Sequence, residues 1–209
     1  MRRKKVLITA GPTREWMDPV RYLTNPSSGA MGISLAQTLA RRGVRVTLVL
    51  GPTCLKPVGP VEVIRVETAL EMMAAVKKNG SNLDAFIGTA AVGDWRFVKT
   101  GKSKLKKSSK LGMTVRLLKN PDILASAHAP IKIGFALETE QLRKNGLKKL
   151  REKNADLLIA NSPDSFSSSF IRPLWMEKTG LIRPLPRQSK EKLSQTIARW
   201  LEQKWKQTT

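Results

Sequence analysis

The 209 residues include one cysteine, Cys54, and one histidine, His128. No internal disulfide can form, and the two do not make a thiol–imidazole metal site. Acidic residues are scarce as well. Sixteen Asp and Glu stand against thirty-eight Lys and Arg, a net charge of +22. Aromatics make up 5%, with a single tyrosine, so platforms for stacking nucleic-acid bases are thinly supplied. No run approaches the ~18 apolar residues that span a bilayer. The start, MRRKKVLITAG, couples a basic cluster to a short apolar run that reads as a strand and not as a signal peptide. The expectation is a cytoplasmic protein with no membrane partner.

What is present is enough for a folded core, with a hydrophobic fraction of 41%. The positive charge fits nucleic-acid binding, small polyanionic ligands, or a basic surface that keeps the chain in solution. Its peaks lie at Arg2–Lys5, Lys99–Lys110, Arg143–Lys153 and the C-terminus.

Strand-like runs occur at Val6–Ala10, Val44–Leu50, Val61–Val66, Ala85–Val92, Ile131–Leu137 and Leu157–Asn161. Helical spacing separates them. Ile33, Leu35, Ala36 and Leu39 share a face that ends at Gly43, and Met72, Met73 and Val76 share another. A further helix is expected over about 140–153. Ile171–Met176 and Leu181–Leu185 flank EKTG, a hairpin signal, and Ser189 opens a last helix with Leu193, Ile197, Trp200 and Leu201 on one side. This alternation predicts an α/β fold, a Rossmann-like, mostly parallel sheet with helices on both faces, plus a C-terminal β-hairpin and helix over about 170–206. The whole of 1–209 reads as one domain. Residues of about 96–112, rich in Lys, Ser and Gly, form a mobile lysine-rich lid.

Ligands of such sheets bind at the C-terminal ends of strands. Four segments fall there: the loop Gly11–Gly32, Gly88–Trp95, Lys119–Leu124 and Gly134–Glu140. In the first, Ser27, Ser28 and Gly29 precede a helix, where free N–H groups suit a phosphate and Arg14 and Arg21 could add charge-assisted bonds. The alternative is that Ser28 merely caps the helix. A dinucleotide fingerprint is missing, since the first turn reads AGPTRE and the second strand ends LVLGPT with no acid for a ribose. That argues against a nicotinamide-dependent reductase, and a Walker A loop is absent too. KSKLKK, Lys102–Lys107, could close over a triphosphate or be a solvated basic loop. Asp94 and Asp122 could hold Mg²⁺ with a nucleotide, bind a ribose, or cap a helix. Trp95 and Phe135 could wall a base or belong to the core. Lys149 and Lys153, four apart, share a helix face.

Taken together, ITAGPTREWMDPVRYLTNPSSGAMG, GTAAVGDW, KLKK, KNPDIL, GFALETE and LLIAN resemble, in order and spacing, phosphopantothenate–cysteine ligase, the ligase half of the bacterial bifunctional flavoprotein of coenzyme A synthesis. The likeness covers nearly all of Lys5–Asn161. It implies that CTP, or ATP, activates the carboxylate of 4′-phosphopantothenate as an acyl-nucleotidylate with release of pyrophosphate, and that L-cysteine then attacks. It further implies Mg²⁺, a homodimer, and a separate decarboxylase protein, because the flavin-bearing half has no counterpart in these residues and no flavin is expected. By matching position, Gly88, Thr89 and Ala90 would contact base and ribose, Asp94 the nucleotide, and Lys104 the triphosphate. Pro121, Asp122, Ile123, Leu124, Phe135, Lys149 and Lys153 would complete the nucleotide site. Asn25 would handle the acyl intermediate with Arg21 assisting, and Ser27, Ser28 and Gly29 would bind substrate. The chain departs from the pattern at Ala30, where lysine is usual, at Gly93, and at Ser162-Pro163.

Overall fold

Parallel, β-branched strands with glycine exits build the centre of the molecule. The computed structural model describes residues 2–106, 112–163 and 168–207. Within these, β1 (Lys5–Ala10), β4 (Arg45–Leu50), β5 (Val61–Arg65), β6 (Ala85–Gly88), β9 (Lys132–Leu137) and β10 (Leu157–Asn161) pair in parallel in the order β5-β4-β1-β6-β9-β10. The antiparallel strands β12 (Leu174–Glu177) and β13 (Ile182–Pro184) extend the β10 side, giving eight strands. The strand order reverses between β1 and β6, the switch point at which a doubly wound sheet opens a crevice.

Alternation along β1 sorts the two faces. Val6, Ile8 and Ala10 pack with α1 (Ala30–Arg41) and α5 (Lys190–Gln207). Leu7, on the other side, packs with α2 (Ala69–Asn79) and α3 (Ile123–Ser126). On that second face α4 (Leu142–Glu152) covers β9 and β10 through Leu150, Ala136 and Leu158. The inward residues expected of α1, α2 and α5 are all buried. Ser189 caps α5, its Oγ accepting the Lys192 N–H at 3.1 Å. The buried Trp175 ring meets Trp200 of α5 edge-on at 6.1 Å and joins the added strands to the core.

Three local expectations are corrected. The stretch after β1, expected as open loop, begins with a hairpin of β2 (Arg14–Asp18) and β3 (Arg21–Thr24). Its turn is made by Asp18, whose Oδ1 accepts the N–H of Val20 and of Arg21. The fourth strand stops at Gly88 and does not reach Val92; beyond Gly88 the Thr89 and Ala91 N–H groups still reach the carbonyls of Thr9 and Gly11, but only an isolated parallel bridge of Pro12 with Ala91 remains. Ile171–Met176 is not one strand, since Pro173 has no N–H to give a ladder. Phe170–Ile171 (β11) instead pairs with Gln188–Ser189 (β14). A short pair, β7 (Trp95–Phe97) with β8 (Leu117–Lys119), brackets the lysine-rich segment, of which residues 107–111 lie outside the described set.

Candidate functional site

A cavity of about 740 Å³ opens over the C-terminal edge of the sheet at the β1/β6 switch point. Its first wall is the segment from Asn25 to Gly32, where β3 runs into α1. Gly29 is the residue before the helix and stands at φ +74°, a conformation in which a side chain would be strained. Ser28 is therefore not the cap. Its Oγ and that of Ser27 lie 3.4 Å from the N–H groups of Ala30 and Gly29, and no side chain caps α1. Met31 and Gly32, in the first turn where N–H groups have no intrahelical acceptor, line the cavity. Gly32 lets the helix approach the sheet this closely. A Cβ there would lie 2.3 Å from Thr89 Oγ1 and 2.4 Å from Ala10 Cβ.

Asn25 is held from behind. Its Nδ2 donates to the carbonyls of Val92 at 3.1 Å and Ala91 at 3.3 Å, so the amide oxygen is the atom left for a ligand. The second wall is the bend from Gly88 to Asp94, fixed by Asn120, which donates to the Gly93 carbonyl at 2.8 Å. The third is Lys119–Leu124. Asp122 caps α3 by accepting the Ala125 N–H at 2.9 Å, and its other oxygen pairs with Lys153. Burial raises the Asp122 carboxyl, but the Lys153 ammonium, the Ala125 N–H and the charge on Lys119 outweigh it and hold the group below its ordinary range. Lys149 pairs with Glu138 at 2.7 Å. Asp94, in contrast, is exposed, and its carboxylate has no partner among the described residues. Phe135 closes the floor.

The arrangement combines backbone donors, an amide acceptor, a free carboxylate and four lysines, Lys119, Lys149, Lys153 and Lys190, in one crevice. It can neutralise phosphates and align an acyl group without a strong protein base. A model of the DNA/pantothenate metabolism flavoprotein C-terminal domain matches residues 1–204. The chain belongs to this family.

Relatives in that family include the coenzyme A biosynthesis bifunctional protein CoaBC of Escherichia coli K12, 40% identical over 205 residues that cover 92% of this chain and 50% of the relative. CoaBC of Vibrio vulnificus YJ016 is 43% identical over 211 residues, 95% of this chain and 52% of the relative. The chain thus spans about half the length of these relatives. Among solved structures, the CoaBC C-terminal domain superposes with a TM-score of 0.82 at 36% identity, covering 98% of this chain and 96% of that one. A Cab2 variant in complex with phosphopantothenate-cysteine gives a TM-score of 0.79 at 18% identity, over 97% of this chain and 87% of that one, a likeness of fold alone.

Most residues picked out by their match to the flavoprotein-family motifs meet in the one cavity: Asn25, Ser27, Ser28, Gly29, Gly88, Thr89, Ala90, Asp94, Pro121 to Leu124, Phe135, Lys149 and Lys153. Two do not. The Arg21 guanidinium is clamped on the buried Asp18 carboxylate and donates to the Leu105 carbonyl at 2.8 Å. Lys104, next to Leu105, is exposed and lies outside the lining. Both belong to the hairpin face, where Leu105 N–H donates to Asp18 and Gly101 N–H to the Met17 carbonyl. Burial raises the Asp18 carboxyl, yet the N–H groups of Val20 and Leu105 and the Arg21 side chain bring it down to about 2. Arg14 is likewise engaged elsewhere, over the Tyr22 ring at 4.6 Å and beside Glu67. Trp95 is half exposed and does not wall the cavity. Sequence reasoning missed Asn120, Asn161, Ile171 and Lys190 as lining residues. Asn120 stands inside Lys119–Leu124, already marked as a strand exit, and Asn161 is the last residue of the expected strand Leu157–Asn161. Lys190 gave no local signal, because one lysine in a basic helix looks like surface charge.

Proposed function

We propose that the chain is a phosphopantothenate–cysteine ligase, with 1–209 forming the ligase domain. The substrate carboxylate attacks the α-phosphorus of CTP, or ATP, the bond to the β-phosphate breaks, and pyrophosphate leaves. The amine of L-cysteine then attacks the acyl carbon of the acyl-nucleotidylate, and the nucleoside monophosphate departs with the acyl–oxygen electron pair. The product, 4′-phosphopantothenoylcysteine, passes to a decarboxylase, the other activity of the flavoprotein that the sequence resembles.

One observation carries this reading. A single crevice at the switch point gathers Asn25, the Gly88–Asp94 bend, the Lys119–Leu124 turn and the Lys149–Lys153 pair. Its volume of about 740 Å³ suits a nucleotide with an acyl arm. The relatives' name, coenzyme A biosynthesis bifunctional protein, and the phosphopantothenate-cysteine bound by the Cab2 variant point the same way. In this scheme Gly88, Thr89 and Ala90 contact base and ribose through backbone. Lys149 and Lys153 face the phosphates. Asn25, with its amide nitrogen already engaged, offers its oxygen to the incoming amine.

Among the described residues no group of three metal-ligating side chains exists. The donor set therefore fits Mg²⁺ held mainly by phosphate oxygens and water, with Asp94 as the free carboxylate, while Asp122 is taken by Lys153. Bound there, Mg²⁺ would offset charge on the polyphosphate. Arg21 and Lys104 sit on a face where Val20, Leu23, Val98, Leu105, Val115 and Leu118 are exposed. That apolar patch supports the homodimer implied by the family resemblance.

The test is direct. Purified protein with CTP or ATP, Mg²⁺, phosphopantothenate and cysteine releases pyrophosphate. Absence of release with every nucleotide overturns the reading.

A further inference from the structure

We infer that Lys190 binds the phosphate end of the acyl substrate, at the side of the crevice away from the nucleotide. The inference rests on the ligase reading above and assigns the part of the cavity that the nucleotide residues leave open.

Helices α1 and α5 run side by side in the same direction. Ser34 Oγ donates to Ser194 Oγ at 2.9 Å, and Arg42 pairs with Glu202 at 2.9 Å, both at an offset of 160 residues. Continued one turn toward the helix starts, that offset sets Lys190 beside Ala30 (190 − 30 = 160), and both residues line the cavity. Position 30 itself brings no charge.

Lys190 is the lysine of this cavity that stands half-buried without a partner. Lys149 has Glu138 and Lys153 has Asp122, but no acid or acceptor among the described residues meets the Lys190 ammonium. Burial pushes that ammonium below the ordinary lysine range, and no carboxylate pulls it back. Its backbone is anchored. The Lys190 N–H donates to the Ser169 carbonyl at 3.2 Å, the Lys190 carbonyl accepts from Ser194 Oγ at 2.8 Å, and β14 pairs with β11 immediately before it. A fixed, unneutralised cation is thus built into the wall.

Chemistry settles which anion it meets. The substrate carboxylate must reach the α-phosphorus, so it lies toward Asp94 and the Lys149–Lys153 side, on the α3/α4 face of the sheet. The other end of the same molecule then extends toward α1 and α5, where Ser27, Ser28 and Lys190 line the cavity. That end is a phosphate monoester carrying about −1.5 to −2 charges near neutral pH. An ammonium there distinguishes the phosphorylated acyl donor from the same acid without its phosphate.

The test compares wild type, Lys190→Ala and Lys190→Arg, with phosphopantothenate and with unphosphorylated pantothenate as acyl donors. Lys190→Ala raises KM for phosphopantothenate about ten- to a hundredfold. KM for the nucleotide and for cysteine holds, and the preference over pantothenate shrinks accordingly. Lys190→Arg recovers most of the loss. A KM change below about twofold in a variant of native Tm, or a change that falls on the nucleotide instead, overturns the assignment. A binding readout separates this claim from the ligase reading: thermal shift with phosphopantothenate alone. If wild type releases no pyrophosphate but is stabilised by phosphopantothenate, and Lys190→Ala is not, the anion site stands and the ligase reading falls. If wild type is active and both proteins are stabilised equally, only the role of Lys190 falls. If phosphopantothenate stabilises neither protein, the assignment is overturned.

Discussion

At the scale of single residues, the candidate site is defined by which polar atoms are already used. Asn25 spends its amide nitrogen on Ala91 and Val92, so replacing it with alanine removes an acceptor and loosens the bend behind it. Asn25→Ala is expected to form the acyl-nucleotidylate and turn it over poorly, with overall kcat down about a hundredfold or more. Trapping the intermediate by mass spectrometry checks this, and wild-type turnover would remove Asn25 from the mechanism. The two aspartates, equivalent on the page of the sequence, separate once partners are seen. Asp122 caps α3 and holds Lys153, whereas Asp94 is unengaged. Asn25, Asp94 and Asp122 were legible because they stand in distinctive motifs at strand exits. Lys190 was not, because its neighbours in the site come from 160 residues away.

At the scale of elements, the β2–β3 hairpin carries the largest departure from expectation. Its residues, REWMDPVRYLT, mix polar and apolar side chains without alternation, so no strand period announces them. The pairing is held instead by the buried Asp18. The folded carboxyl titrates at about 2, against about 3.9 in an unfolded chain. Its stabilising contribution is therefore complete above about pH 4 and is lost as pH falls toward 2. The Tm gap between wild type and Asp18→Asn is expected to narrow over that window in a thermal-melt series, and a gap independent of pH would contradict the role given to Asp18. The approach of α1 to the sheet depends on Gly32 in the same way. Gly32→Ala drives a Cβ into Thr89 and Ala10. It is expected to cost about 1–3 kcal/mol and to lower Tm by roughly 3–10 °C. A variant as stable as wild type would mean that the helix can back away from β1.

At the scale of the whole molecule, the net charge of +22 bears on the crevice at the switch point. A field of that sign draws polyanionic substrates toward the cleft and is screened by salt. Raising NaCl from about 20 to about 300 mM is expected to increase KM for the nucleotide and for phosphopantothenate several-fold with kcat nearly constant. A flat response would assign the charge to solubility alone. The sequence by itself determined the class of fold and the site's main segments, because period, glycine exits and strand-end motifs are local signals that survive in one dimension. Val6–Ala10, Arg45–Leu50 and Leu157–Asn161 are strands for reasons visible within a few residues. Only the tertiary structure decided where Arg21 and Lys104 go, which aspartate stays free, and that Lys190 and Ala30 line one cavity. Each of those outcomes depends on a partner distant in the chain, and desolvation and charge pairing act through space.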